Sequence, residues 1–375
     1  MTVDFAALAT PGVRSLQPYI PGKPIEELER ELGISNSLKL ASNENPLGSS
    51  PLALEAAQRA AAELHLYPDD IGFRLRQRLA AEHGVSADQV LLGAGSSDVI
   101  SMVVRAFLGP GRNGVFAQHA FAMYPIYTQA SGAECRAAVA LPADHPDMPY
   151  GHDLQSLAAA VDENTRVLFI ANPNNPTGTW LNAPELKAFI AALPAEVVVV
   201  LDEAYTEYVQ QSDFPNGIGW LGEFPNLIVT RTFSKIYGLA GLRVGYGIAN
   251  PELLAVVSRV RHPFNVGSMG LAAAEAALDD PSFVARSAEV NHLGLRQLES
   301  ALDQLGLGRI PSVGNFLTLD LGRPATDCYQ ALLRQGVILR PLANYGMPQH
   351  LRVTVGTEEQ NARFISALEQ VLKAC

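Results

Sequence analysis

Four continuous apolar runs constrain the fold of this chain more than any other sequence feature. They comprise residues 89–92, 166–171, 196–201 and 227–233, and helical patterns alternate with them. Apolar runs without polar alternation are typical of strands that are buried on both faces, as in parallel sheets covered by helices. The sequence therefore predicts an α/β fold in which a mainly parallel sheet forms the middle of three layers.

The last third of the chain departs from this pattern. After Pro263 an alanine-rich helix pattern begins, and the strands and helices beyond it are shorter and more mixed. At 375 residues the chain is also too long for one compact core. We therefore expect a large domain over residues 37–262 and a smaller α+β domain over 263–375. A proline-rich arm over residues 1–36 precedes them and is expected to pack on another surface.

Composition and charge argue against several classes of protein. The net charge of −11 disfavours nonspecific binding to nucleic acid or to an anionic membrane, since both need basic patches. No uncharged apolar stretch reaches the roughly 18 residues that a membrane span needs. Cys135, Cys328 and Cys375 show neither C-x-x-C nor metal-ligand spacing, which predicts reduced thiols and no metal site. The N-terminus has no signal-peptide pattern, so we expect a cytoplasmic protein.

The polar segments that follow the predicted strands form the candidate site. These segments are residues 93–98, 172–178, 202–205 and 234–235. Ligands of parallel α/β sheets bind beyond the carboxyl ends of the strands, so segments distant in sequence are expected to meet at one edge. There they would bring a glycine-serine turn, side-chain amides, a carboxylate and an amine together.

Lys235 lies in an apolar context that suits a desolvated amine. Phe233, Ile236 and Tyr237 surround it, and no acidic residue occurs within ten positions on either side. Removal from water lowers the pKa of a lysine, and the neutral amine can then attack a carbonyl to form a Schiff base. A lone lysine is more often an exposed surface residue, so the interpretation depends on its neighbours.

The turn over residues 93–98, together with Ser234 and Arg243, predicts a site for an anion near Lys235. The turn over residues 93–98 joins a strand to a helix, and the free N–H groups and dipole of a helix N-terminus attract anions. Ser234 adds a hydroxyl and Arg243 a planar guanidinium that suits phosphate. Glycine-x-glycine alone is weak support, because many such turns need glycine only for their geometry.

The segment from Ser234 to Gly245 resembles the cofactor-lysine segment of fold-type I pyridoxal-phosphate aminotransferases. The resemblance implies that Lys235 binds the aldehyde of pyridoxal 5′-phosphate and later moves a proton on the substrate, while Asp202 holds the ring nitrogen protonated. Taken alone, Asp202 would be interpreted as a helix cap or a loop carboxylate. The resemblance further implies cofactor contacts to the ring hydroxyl (Asn175, Tyr205), the phosphate (Ser96, Ser97, Ser234, Arg243) and the ring face (Phe121).

Tyr67 takes its expected role from the same resemblance. In the family the matching tyrosine crosses to the cofactor phosphate of the neighbouring subunit, so a homodimer with shared sites follows. The N-terminal arm would then pack on the small domain and on the dimer partner. From the sequence alone, Phe121 would be interpreted as a core residue and Tyr19 as a packing residue.

Further segments narrow the resemblance to the histidinol-phosphate aminotransferases. This resemblance implies reversible amino transfer between L-glutamate and imidazole-acetol phosphate, giving 2-oxoglutarate and L-histidinol phosphate. Arg352 and Arg340, assisted by Tyr19, are the expected substrate residues, because a guanidinium binds phosphate and carboxylate equally well. The segments that carry the resemblance are residues 18–28, 40–48, 67–69, 171–178, 340–346 and 351–357.

Three alternatives stay open at this point. An aromatic amino-acid aminotransferase would share the cofactor residues and differ in its substrate pocket, and a phosphothreonine decarboxylase resembles this family closely. A catalytically idle cofactor-binding protein is the third. One local departure is Asp70-Ile71, where many family members carry glycine or asparagine; the sequence alone gives it little functional weight.

Overall fold

A seven-stranded sheet forms the centre of the larger part of the molecule in the computed structural model, which describes residues 3–374. One strand, Gly245–Ala249, runs antiparallel to both neighbours, and all the other pairs are parallel. The predicted mainly parallel α/β fold is therefore confirmed. In spatial order the strands are Val90–Gly93, Gly245–Ala249, Leu227–Thr232, Val198–Asp202, Thr165–Ala171, Asn113–Ala117 and Glu134–Ala138.

Alternate residues of the central strands face two separate hydrophobic cores. Leu168 and Ile170 belong to one core, whereas Val167 and Phe169 belong to the other, and all four side chains are fully buried. Successive side chains of a strand point to opposite faces of the sheet. Both faces are thus covered, which explains why these strands appear in the sequence as continuous apolar runs.

Helices cover the sheet and complete the smaller part of the molecule. Many begin in the expected way: Ser50 caps the helix that starts at Pro51, and its hydroxyl accepts a hydrogen bond from the N–H of Leu52. The α-helices are Phe5–Leu8, Pro11–Arg14, Ile25–Leu32, Pro51–Ala61, Phe73–His83, Ser96–Phe107, Met123–Ala130, Leu154–Ala159, Ala183–Ala192, Pro251–Val257, Ser268–Ala277, Pro281–Gln304, Thr326–Arg334 and Glu358–Ala374.

The smaller part contains an antiparallel four-stranded sheet and a two-stranded parallel ribbon. The sequence suggests a single strand over residues 337–340, but the structure divides this segment between the two sheets. Val337–Ile338 pairs with Leu38–Lys39, and Arg340–Pro341 forms the edge of the other sheet, where a proline without an N–H is tolerated. The four-stranded sheet has the order Arg340–Pro341, His350–Thr354, Phe316–Asp320 and Gly308–Ile310.

The division of the chain into domains remains a prediction, and the packing bears on where its boundaries lie. Helix Ser268–Ala277 contacts helix Pro51–Ala61, and Ala273 and Ala274 are buried in a core of the seven-stranded sheet. Leu38, by contrast, is buried with the core of the smaller part. This packing favours a second boundary nearer to Asp280 than to residue 263.

The structure also places the cysteines and bears on the membrane-span question. Cys135 is exposed, Cys328 is buried in the core of the smaller part, and Cys375 lies outside the described residues. Within residues 3–374, no helix combines the length and the apolar character that crossing a bilayer would require.

Candidate active site

One cavity of about 410 Å³ lies at the carboxyl edge of the seven-stranded sheet. The strands that end at Gly93, Ala171, Asp202 and Thr232 lead into it, as expected from the sequence. All but two of the predicted site residues line this cavity. Those that it brings together are Tyr19, Ser96, Ser97, Phe121, Asn175, Asp202, Tyr205, Ser234, Lys235, Arg243 and Arg352.

Lys235 follows strand Leu227–Thr232 and extends its amine into the cavity. The Nζ atom donates a hydrogen bond to the carbonyl oxygen of Ser42 at 3.0 Å and lies 5.7 Å from the centre of the Tyr205 ring. Burial, and then the positive charge of Arg352, lower the pKa of Lys235 from 10.5 to about 7. A large fraction of this amine is therefore neutral near neutral pH.

Asp202 is the last residue of its strand and is only 5% exposed. Tyr124 donates to its Oδ2 at 2.9 Å, and Thr230 donates to its Oδ1 at 3.0 Å. Burial raises the pKa of Asp202 to about 6, against the effect of these two hydrogen bonds. A carboxylate fixed from two sides in this way can bind a cationic group that faces it in the cavity.

Sequence reasoning missed both of these hydrogen-bond donors. Thr230 pairs with Asp202 across two parallel strands, so a correct strand register would have placed it there. Tyr124 lies on helix Met123–Ala130, and nothing in the local sequence separates it from an ordinary core aromatic.

The turn before helix Ser96–Phe107 and the guanidinium of Arg243 meet at the cavity, where together they could form an anion site. Arg243 adopts a left-handed backbone conformation with φ of 54°, and its Nη1 donates to the hydroxyl of Ser234 at 3.3 Å. A Cβ at Gly95 would lie 2.6 Å from Arg243 Nη2, and a Cβ at Gly245 would lie 2.3 Å from the backbone nitrogen of Ser96. The positive φ of 86° at Gly95 and the close backbone approach at Gly245 favour glycine at both positions, which lets the turn and strand Gly245–Ala249 pack closely.

Arg352 is buried on the side of the cavity formed by the four-stranded sheet. Its Nη1 donates to the side-chain oxygen of Asn175, its Nη2 donates to the carbonyl oxygen of Ala41 at 2.7 Å, and its guanidinium lies 5.3 Å from the centre of the Phe316 ring. Within the described chain its Nε atom has no hydrogen-bond partner. Because a buried unpaired donor is costly, this geometry favours an anionic ligand that completes the set.

Tyr205 is held by a residue that the sequence did not single out. The side-chain amide of Asn43 donates to the Tyr205 hydroxyl at 2.9 Å, and burial raises the pKa of Tyr205 to about 12. Asn43 has a positive φ of 55°, which asparagine adopts more readily than most residues. The turn-rich sequence around it was the only available signal.

The two predicted residues outside the cavity lining are Tyr67 and Arg340. Tyr67 is 82% exposed and stacks on Phe264, with ring centres 4.6 Å apart. Arg340 is buried, and its guanidinium lies 5.2 Å from the centre of the Tyr19 ring. Its Nη1 also donates to the carbonyl oxygen of Ile20, so Arg340 holds the N-terminal arm beside the cavity.

Comparison with known proteins agrees with this geometry. The model of the family described as aminotransferase class I and II matches residues 35–368. Histidinol-phosphate aminotransferase 2 of Pseudomonas fluorescens is 56% identical over 99% of both chains, and its namesake from Pseudomonas aeruginosa is 56% identical over 98% of this chain and 99% of its own.

A solved structure matches over almost the same length. It is histidinol-phosphate aminotransferase from Sinorhizobium meliloti in complex with pyridoxal-5′-phosphate, with a TM-score of 0.87, 29% identity and 97% of both chains covered. The sheet order, the cavity at its carboxyl edge and these similarities lead to one conclusion. The chain belongs to the aminotransferase class I and II family.

Proposed function

We propose that this protein is a histidinol-phosphate aminotransferase of histidine biosynthesis. It would transfer an amino group reversibly between L-glutamate and imidazole-acetol phosphate, with 2-oxoglutarate and L-histidinol phosphate as the other pair. The observation that carries the proposal is one cavity in which a lysine of lowered pKa, a buried carboxylate and a buried arginine meet. The names of the curated relatives support the choice of substrate.

Pyridoxal 5′-phosphate fits the residues that line the cavity. The candidate anion site lies where the turn before helix Ser96–Phe107 meets Arg243 and suits the cofactor phosphate. Ser96, Ser97, Ser234 and Arg243 would hold this phosphate. When bound, this cofactor supplies an aldehyde for amine exchange and a ring that withdraws electrons from the substrate carbon. The other proposed contacts are Lys235 to the aldehyde, Asp202 to the ring nitrogen, Asn175 and Tyr205 to the ring hydroxyl, and Phe121 to the ring face.

Three residues of the chain would then have separate roles in proton transfer, in cofactor electrostatics and in substrate binding. Lys235, neutral in a large fraction near pH 7, would accept the proton from the substrate carbon at its Nζ atom and deliver it to the former aldehyde carbon of the cofactor, and the reverse reaction would move it back. Asp202 keeps a negative charge opposite the ring nitrogen, and the hydrogen bonds from Tyr124 and Thr230 hold that carboxylate in place. Arg352 binds the phosphate of one substrate and the carboxylate of the other through the same fork of donors.

The rate of cofactor capture should report the lowered pKa of Lys235. When pyridoxal phosphate is added to cofactor-free protein, the rate should rise with pH through about 7 and then level off, because the neutral amine is the reacting form. Rapid-mixing measurements of visible absorbance across a range of pH would follow this reaction. A rate that kept rising towards pH 10.5, the ordinary lysine pKa, would contradict the desolvated environment.

Replacement of Arg352 should impair substrate binding and leave the cofactor in place. Arg352→Lys keeps the charge but loses the bidentate fork, so kcat/KM for both substrates should fall by about 10²-fold. Pyridoxal phosphate should stay bound with its visible absorbance, since lysine keeps the positive charge near Lys235 and Arg352 is not among the proposed phosphate or ring-nitrogen contacts. Arg309→Lys, in the exposed ion pair with Asp303, is the matched control. Equal kinetics of the two variants would remove Arg352 from the substrate site.

A homodimer with shared active sites is part of the proposal. Tyr67 is exposed in a single chain and would reach the cofactor phosphate of the partner. Large apolar side chains lie exposed between residues 52 and 73, which supports a second copy covering this face. Besides Tyr67 they are Leu52, Leu54, Leu64, Leu66, Ile71 and Phe73. Sedimentation equilibrium of the purified protein should give the mass of a dimer.

A glutamate-dependent amination assay with imidazole-acetol phosphate tests the proposed reaction. Turnover should be much faster than with the 2-oxo acid of phenylalanine, and it should coincide with changes in cofactor absorbance. A strong preference for the aromatic substrate would instead identify an aromatic amino-acid aminotransferase. Release of carbon dioxide from a phosphorylated amino acid would identify a decarboxylase.

A further inference from the structure

Asp70 is bound by three hydrogen bonds to a segment far away in the sequence. The N–H of Phe264 donates to its Oδ1 at 2.8 Å, and the Nη2 of Arg261 donates to its Oδ2. The Nη1 of Arg261 also donates to the Asp70 carbonyl oxygen at 2.9 Å. We refer to Asp70, Arg261 and the N–H of Phe264 as the Asp70 clamp.

The clamp holds Phe264, the residue on whose ring Tyr67 stacks. The ring of Phe264 stacks on the ring of Tyr67 at an angle of 22° between their planes. Phe264 has a left-handed φ of 55°, a conformation that is costly for a bulky residue and persists only where neighbouring contacts enforce it. Because Asp70 accepts the hydrogen bond of the Phe264 N–H itself, the clamp enforces the backbone geometry that orients this ring.

The clamp is also connected to the turn that forms the anion site. Arg261 donates to Oδ1 of Asn265 at 3.2 Å, and the amide of Asn265 donates to Oδ2 of Asp98 at 2.8 Å. Asp98 in turn accepts the N–H of Ala94 at 2.9 Å. The segment that carries Tyr67 and Asp70 is thereby connected to the anion-site turn of its own subunit.

A purely structural role explains these contacts poorly. Asp69 already caps helix Phe73–His83, since its Oδ2 accepts the N–H of Phe73 at 2.9 Å. The ion pair of Asp70 with Arg261 is partly exposed, and exposed pairs contribute little to stability. One of these contacts leads to Tyr67 instead, because the residue whose N–H Asp70 accepts, Phe264, stacks its ring on the almost fully exposed ring of Tyr67.

We propose that Asp70 and Arg261 are positioning residues for Tyr67, holding its ring at the orientation in which the hydroxyl reaches the cofactor phosphate of the partner subunit. This inference rests on the proposed function, specifically on the shared-site homodimer and on pyridoxal phosphate. It also gives a role to the departure at Asp70 that the sequence left without one. Asp70→Ala leaves the hydrogen bonds of Arg261 to Asn265 and of Asn265 to Asp98 in place, so its effect should appear in the active site of the partner and not in its own.

Heterodimers with differently tagged subunits can distinguish an effect on the partner's active site from an effect on the active site of the subunit that carries the Asp70 variant. One subunit carries Lys235→Ala, so that only the other subunit forms the lysine-bound cofactor with its visible absorbance. In the first arrangement Asp70→Ala lies on the Lys235→Ala subunit, and the dissociation constant of pyridoxal phosphate at the intact Lys235 should rise about tenfold. In the second arrangement Asp70→Ala lies on the subunit that keeps Lys235, and the constant should stay at the value of the unmodified heterodimer.

Two further variants calibrate the result. Asp70→Asn can still accept the N–H of Phe264 but loses the ion pair, so its effect should be intermediate. Asp303→Ala breaks a comparable exposed ion pair with Arg309 and should change neither arrangement. Thermal unfolding of the Asp70→Ala and Asp303→Ala homodimers should be similar, whereas a general loss of folding would lower the melting temperature of Asp70→Ala alone.

Tyr67→Phe, placed on the Lys235→Ala subunit as in the first arrangement, tests the shared-site homodimer separately from the positioning role of Asp70. If Tyr67→Phe weakens cofactor binding at the partner site and Asp70→Ala does not, the clamp has no positioning role. An equal effect of Asp70→Ala in both arrangements would also overturn it. If Tyr67→Phe has no effect, or if no heterodimer forms, the shared-site homodimer itself is wrong.

Discussion

Lys235→Ala should lower kcat for glutamate-dependent amination by roughly 10⁴-fold, the upper range for loss of a positioned acid–base group. The variant would lose the amine that is proposed both to bind the cofactor aldehyde and to move the substrate proton. Pyridoxal phosphate should still bind through the anion site, but without the visible absorbance of the lysine-bound form. Steady-state kinetics and an absorbance spectrum of the same sample measure both effects.

Two comparisons make this result specific to the chemistry of the amine. Lys187→Ala removes an exposed lysine paired with Glu223 and should leave kcat unchanged. Added methylamine should restore part of the lost activity of Lys235→Ala, since a small amine can enter the space of the missing side chain. If Lys235→Ala retained full activity, the chain would be a cofactor-binding protein whose lysine takes no part in turnover.

Asp202→Asn should reduce kcat by about 10²- to 10³-fold, similar to the loss of one preorganised electrostatic contact in other enzymes. Asparagine keeps the size of the side chain but not the charge that would hold the ring nitrogen protonated. Cofactor binding through the phosphate should persist, so the spectrum would still show bound pyridoxal phosphate. Single-turnover kinetics with L-glutamate would locate the defect in the proton-transfer step.

Tyr124→Phe provides a graded comparison for Asp202→Asn. It removes one of the two hydrogen bonds to the carboxylate and preserves the charge, so a decrease of about tenfold or less is expected. The same rank order should appear in the half-reaction with L-histidinol phosphate. Wild-type kinetics of Asp202→Asn would show that the carboxylate does not face the reacting ring.

The sheet and its edge could be predicted from the sequence because their signals are local. Strands buried on both faces require apolar side chains at every position, and polar residues begin where each strand leaves the core. Lys235 and Asp202 can therefore be placed at one edge of the sheet from the sequence alone. The family resemblance then supplied the expected partners of these two residues.

What the sequence could not give depends on tertiary register. Thr230 and Tyr124 reach Asp202, and Asn43 reaches Tyr205, only because strands and loops distant in sequence come together. The change of sheet within residues 337–341 was missed for a related reason, since both halves of the segment are extended and only their pairing partners distinguish them. Such partners follow from pairing geometry, which a single apolar run does not encode.

The antiparallel strand Gly245–Ala249 has a consequence for how this site can change. Because it runs against its neighbours, its first residue, and not its last, borders the cavity. The amine of Lys235 and the guanidinium of Arg243 are therefore carried by one hairpin connection between adjacent strands. The length of that connection sets the distance between the amine proposed to bind the cofactor aldehyde and the guanidinium proposed to bind its phosphate. An insertion in this hairpin connection would move the Lys235 amine and the Arg243 guanidinium apart, even if the sheet itself were unchanged.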